Sequence, residues 1–142
     1  MYKLKLAIRV DANSKIGGGH LMRCINLACA AEERGHQPYF ILSESLKSTT
    51  TLLSKLGHPY SCIQNNKRQT TTLKEVKSTS YESWLNLPWE VDAKETQKII
   101  KRLKPDWLIY DNYGLDSRWV TMAISHSLKI KTLAIDDLDN RY

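Results

Sequence analysis

A repeated change of hydrophobic period along the chain constrains the fold more than any other feature of the sequence. Residues 3 to 10 alternate apolar and polar side chains and are rich in β-prone types, which suits a strand. A glycine triplet, Gly17, Gly18 and Gly19, follows. From His20 onward, Leu21, Ile25, Ala28 and Cys29 recur at the i, i+4, i+7, i+8 spacing of one buried helix face, and Gly35 stands where a C-terminal cap belongs. The pattern then repeats. Residues 39 to 42 read as a strand, 46 to 56 as a helix closed by Gly57, and 59 to 63 as a short strand. The polar stretch 64 to 80, rich in Lys, Thr and Ser, reads as a surface excursion. Asp92 offers an N-cap with Glu95 three residues on, ahead of an apolar face at Ile99, Ile100 and Leu103 that stops before Pro105. A strand at 106 to 110, a helix capped by Asp116 or Ser117 and carrying Trp119, Met122 and Ala123, and a strand at 131 to 135 complete the series.

Strands that alternate with helices call for a mainly parallel sheet with helices on both faces, a Rossmann-like α/β domain. A chain of 142 residues, 42% hydrophobic and 25% charged, is the size of one such domain and large enough to bury its own core. The alternating N-terminus does not read as a signal peptide, no apolar run reaches membrane-spanning length, and three cysteines make no closed disulfide framework. The cytoplasm is the simplest location, with Cys24, Cys29 and Cys62 as core or near-surface thiols. The net charge of +6 is spread from Lys3 to Arg141; its densest group, Lys98, Lys101, Arg102 and Lys104, reads as a solvated helix face, so no nucleic-acid or membrane partner is expected.

Ligands of open parallel sheets gather beyond the carboxyl ends of the strands. The residues to inspect are therefore 11 to 20, 111 to 114, and Asp136 with Asp137. Successive glycines before a helix let backbone amides approach an anionic ligand closely. The loop is not a Walker A motif, because no Gly-Lys-Ser/Thr follows, and Met22 stands where a dinucleotide fingerprint wants a small residue. By itself it reads equally as a tight turn. His20 at the helix start sits in the positive end of the macrodipole, which disfavours the imidazolium and suits a general base; a surface or capping histidine is the plainer alternative. Tyr113 can stack on or hydrogen-bond a sugar, while Asp111 and Asn112 can equally be loop caps, and Asp136 and Asp137 a turn. His36, His58 and His126 have no comparable setting. No His, Cys, Asp or Glu set shows metal-ligand spacing, and no Gly-x-Ser-x-Gly elbow occurs, so neither metal nor cofactor is expected.

Taken together, the segments at 9 to 24 (RVDANSKIGGGHLMRC), 81 to 85 (YESWL), 106 to 116 (DWLIYDNYGLD) and 135 to 138 (IDDL) resemble one family. It is the UDP-2,4-diacetamido-2,4,6-trideoxy-β-L-altropyranose hydrolase family of pseudaminic acid biosynthesis. The resemblance implies a two-domain protein of glycosyltransferase-B type, of which this chain is the N-terminal half, with a further C-terminal half supplying most UDP contacts and completing the cleft. It implies a UDP-sugar substrate, hydrolysed by water at the anomeric carbon with inversion and without a metal. The motif histidine corresponds to His20 as proton acceptor and the motif tyrosine to Tyr113 near the sugar; Asp11, Gly17, Gly18 and Gly19 are the remaining substrate-binding candidates. A glycosyltransferase-like acceptor domain and a non-catalytic nucleotide- or partner-binding domain are the alternatives.

Overall fold

The computed structural model describes residues 2–14, 16–43, 46–63 and 84–137. Among these residues nine elements follow one another: β1 (Lys5–Val10), α1 (Gly19–Glu33), β2 (Gln37–Leu42), α2 (Lys47–Lys55), β3 (Tyr60–Cys62), α3 (Trp89–Leu103), β4 (Trp107–Asp111), α4 (Ser117–Ala123) and β5 (Lys131–Ala134). The five strands form one parallel sheet in the order β3-β2-β1-β4-β5. The polar stretch 64 to 80 and residues 81 to 83 lie outside the described residues.

Period-two alternation sorts each strand's side chains onto two faces, and each face is covered by helices. On one face Leu6, Ile8 and Val10 of β1 and Phe40 and Leu42 of β2 pack with Leu21, Cys24, Ile25 and Ala28 of α1 and Leu53 of α2. On the other, Ala7, Ile41, Leu108 and Tyr110 pack with Ala93 and Ile100 of α3 and Trp119 and Ala123 of α4. The single-residue offset between Ile8 and Ala7, or Ile109 and Leu108, thus decides which layer a residue joins. Gly35 closes α1 with φ +81°, a left-handed cap that a glycine adopts without strain.

One local reading of the sequence is corrected. Helix α3 begins at Trp89, behind Pro88, without a side-chain cap; Pro88 costs nothing there because its missing N–H has no helical partner to lose. Asp92 is not the N-cap but lies inside the helix, fully buried. A competing demand explains the shift: Arg9 of β1 is also fully buried and needs a carboxylate, which Asp92 supplies at 2.6 Å. Asp116, in contrast, caps α4 as read, accepting from the amides of Arg118 and Trp119. Lys98, Lys101, Arg102 and Lys104 are exposed. Among the described residues no helix is long and apolar enough to cross a membrane.

Candidate active site

After β1 the chain runs to one side of the sheet, to β2 and β3, and then returns to β4 on the other side of β1. The crevice at such a reversal, beyond the carboxyl ends of the two diverging strands, is the natural ligand position of an open α/β sheet. Parallel register sets Asp111, the last residue of β4, beside Val10, the last of β1. The loop after β1 and the end of β4 therefore face one another by topology.

The loop is tied into a turn by its own polar groups. Asn13 accepts the Ile16 amide on its side chain at 2.9 Å and the Gly17 amide on its carbonyl at 2.7 Å. Gly17 has φ +74°, where a Cβ is strained. Gly18 and Gly19 have no such requirement, and a Cβ on any of the three would meet nothing within 4 Å. Among the described residues the surface over the triplet is open. Gly18 is the N-cap of α1 and offers no side-chain acceptor, so the helix starts uncapped at this opening.

His20 occupies the second position of α1, and its Nδ1 lies 2.6 Å from Asp111 Oδ1. Asp111 is fully buried. Arg23, one turn further along α1, donates from Nε to Asp111 Oδ2 at 2.5 Å and from Nη2 to Oδ1 at 2.7 Å, a two-pronged grip on an ionised carboxylate. A carboxylate so engaged has no proton to give. The short contact to His20 therefore needs the hydrogen on Nδ1, and Nε2 is left as the nitrogen that can accept. Arg23 Nη2 also approaches Nδ1 to 3.1 Å, which on this assignment is a close neighbour and not a hydrogen bond, since both atoms carry hydrogens. Burial and the Asp111 charge push the neighbouring Cys24 thiol up, so it stays a neutral SH group against Asp111.

Two aromatic rings flank the imidazole. Tyr113 stands edge-on with its ring centre 5.0 Å away and Trp84 edge-on at 5.9 Å, and the two rings lie 5.1 Å from one another. The Tyr113 hydroxyl donates to Asp137 Oδ2 at 2.8 Å, and Arg23 Nη1 reaches the same oxygen at 2.6 Å. Those two bonds hold the Asp137 carboxyl below its ordinary range. Burial, followed by the Asp137 contact, pushes the Tyr113 phenol up.

The structure thus brings together His20, Tyr113 and the glycine triplet, but it sets Asp11 apart. Asp11 is 1% exposed. Its Oδ1 accepts the Ser43 amide at 2.8 Å, and its Oδ2 meets Arg9 at 2.8 Å and the Asn112 side chain at 3.1 Å. It braces the loops below the cleft and does not reach the cleft surface. Asn112, also buried, turns its other side-chain atom to the Gly114 amide at 2.8 Å, so the loop that carries Tyr113 is tied through Asp11 to the one that leads to His20. Asp111, for which a cleft role and a loop cap stood equally open, and Asp137, which read as a turn residue, are the partners of His20 and Arg23. Arg23 and Trp84 carried no sequence signal beyond membership of the motifs. A cleft of about 310 Å³ adjoins the loop, lined by Asn13, Gly17, Gly18, Leu21, Met22 and Leu46 among others. A second cavity, of about 200 Å³, is lined by Lys5, Gln37 and Pro105 at the amino ends of the strands, far from these groups.

No family model matches the sequence, and no curated protein matches it. Solved structures do match. A glycosyltransferase from Rickettsia africae superposes with a TM-score of 0.62 at 17% identity, over 99% of this chain and 32% of that one. The five-stranded parallel α/β fold of this chain is shared with one part of these glycosyltransferase-B proteins. Acinetobacter baumannii MurG follows with a TM-score of 0.59 at 14% identity, over 92% of this chain and 34% of its own. The calicheamicin glycosyltransferase CalG4 gives 0.58 at 14% identity, over 94% of this chain and 33% of its own. This chain therefore spans about a third of the length of each, and identities this low carry the fold alone.

Proposed function

We infer that the chain is the base-bearing part of a nucleotide-sugar-dependent enzyme, in which His20 takes the proton from an O–H nucleophile attacking the anomeric carbon. The observation that carries this reading is the 2.6 Å contact between His20 Nδ1 and the buried Asp111. A carboxylate behind Nδ1 fixes ring orientation and tautomer and stabilises the imidazolium formed when Nε2 accepts a proton. Asp111 and Asp11 are buried with both oxygens engaged, so neither is placed to attack a sugar. That supports a single displacement with inversion. A nucleoside diphosphate leaves as a stable anion with a last pKa of about 6, so the reaction needs no strong general acid. Trp84 and Tyr113 offer rings against which a sugar can pack.

The likeness of fold to glycosyltransferases supports a hydroxyl of an acceptor molecule as the nucleophile. A second reading takes water as the nucleophile and free sugar as the product. It is supported by the motif set at 9 to 24, 81 to 85, 106 to 116 and 135 to 138 and its resemblance to the UDP-sugar hydrolases. Product analysis of the complete encoded protein, supplied with nucleotide sugar and no acceptor, separates the two. Stoichiometric free sugar supports hydrolysis; its absence, with turnover restored by an acceptor alcohol, supports transfer. Normal turnover by a folded His20→Ala variant would sink both.

A further inference from the structure

The Arg23 guanidinium presents two sides. Nε and Nη2 close on Asp111, and Nη1 is the donor turned to Asp137, 2.6 Å from its Oδ2. The Tyr113 hydroxyl donates to that same oxygen at 2.8 Å. Two donors, one from helix α1 and one from the loop after β4, thus converge on one oxygen atom. The side chain that owns this atom is 61% exposed and lies three residues beyond the end of β5. An exposed ion pair contributes little to stability, so the fold does not depend on this contact. An arginine donor and a hydroxyl aimed at one point, next to an open glycine surface, are the elements of a site for a charged oxygen.

We propose that Arg23 Nη1 and the Tyr113 hydroxyl form a binding site for an oxyanion of a small ligand, a phosphate or carboxylate oxygen, and that Asp137 fills it as an internal stand-in which the ligand displaces. The site adjoins the imidazole: Arg23 Nη2 is 3.1 Å from His20 Nδ1, and the Tyr113 ring centre is 5.0 Å from that of His20. Which part of a substrate it holds rests on the reading of His20 as base. In an inverting displacement the leaving diphosphate lies on the face of the anomeric carbon away from the base. A group held beside the base therefore belongs to the sugar or the acceptor, not to the leaving group.

The test is an NMR titration of the chain with inorganic phosphate and, separately, with acetate, following the His20, Trp84 and Tyr113 signals. Asp137→Asn removes the competing charge from an exposed position and should bind the preferred anion about fivefold more tightly than the wild type. Adding Tyr113→Phe to that variant should weaken binding again. A tighter phosphate arm assigns the site to a phosphorylated ligand and a tighter acetate arm to a carboxylate. Unchanged or weaker binding by Asp137→Asn to both anions, or shifts confined to other parts of the molecule, would overturn the proposal. Turnover is not read in this experiment. Loss of the base assignment through an active His20→Ala variant would leave the titration standing, and a failed titration would leave the base assignment standing.

Discussion

Two charge networks lie side by side at the carboxyl ends of β1 and β4, and they are built on opposite plans. In the first, Arg9 sits between Asp11 and Asp92, with Trp119 Nε1 donating to Asp92 at 2.8 Å and Asn112 to Asp11 at 3.1 Å; all five side chains are buried. Burial works against the Arg9 charge, but the two carboxylates outweigh it and hold the guanidinium charged above its ordinary value. In the second, Asp111 is equally buried, yet its partners His20 and Arg23 reach the surface, and Arg23 continues to the exposed Asp137. A network that closes on itself spends its donors on holding loops in place. One that ends at an imidazole nitrogen and an exposed carboxylate keeps groups available for a ligand.

The sharpest way to break this contrast is to remove the centre of the closed network. Arg9→Met leaves Asp11 and Asp92 as buried, uncompensated charges, and about 3–5 kcal/mol of stability should be lost, a large part of what a domain of this size has. Denaturant unfolding checks it. The matching change in the open network is Asp111→Asn. There the fold should survive, because Arg23 keeps Asp137 and partial exposure, while on the proposed role of His20 any turnover by the complete encoded protein should fall by roughly two to four orders of magnitude as the His20 tautomer loses its anchor. Circular dichroism alongside a progress curve separates the two effects.

A smaller effect lies outside both networks. Asp116→Ala removes the α4 cap and should cost about 1 kcal/mol. Partial burial opposes the Asp116 charge, but Arg118 and the capped amides win and hold its carboxyl below the usual range. Its contribution is therefore full above the ordinary carboxylate pKa of about 3.9 and is lost as the pH falls through the lower folded-state value, a loss that a melting series on wild type and variant should show only in the wild type. The smallest expected effect is chemical. Cys24, buried against Asp111 with its thiol pushed up, should resist alkylation in the native protein and react on unfolding, which mass mapping of labelled sites checks.

Much of the fold was legible because the period of apolar residues carries it: Leu6, Ile8 and Val10 against Ala7 name the two faces of β1, and Leu21, Ile25 and Ala28 name the buried stripe of α1. Local chemistry was legible where it is local in sequence, as at Asp116 and Gly35. Asp92 sits in a capping pattern, but its partner, Arg9, is 83 residues away, and such a pattern says nothing of a buried cation on a strand. The site shows the same division. His20, Tyr113, the glycine triplet and Asp137 stand out by position after strands, whereas Arg23, and the pairing of Arg23 with Asp137, acquire meaning only when β1, β4 and β5 come together in the sheet. Asp11 resembled a ligand contact for the same positional reason, yet its burial by Arg9, Ser43 and Asn112 makes it a brace.

The central claim is that Nε2 of His20, oriented by Asp111, accepts the nucleophile's proton. Its most direct test is nucleoside diphosphate release by the complete encoded protein carrying His20→Ala, measured under single-turnover conditions beside the wild type. The expected result is a folded variant that binds the nucleotide sugar and releases nucleoside diphosphate at least about a hundredfold more slowly. Release at the wild-type rate from that folded variant would contradict it.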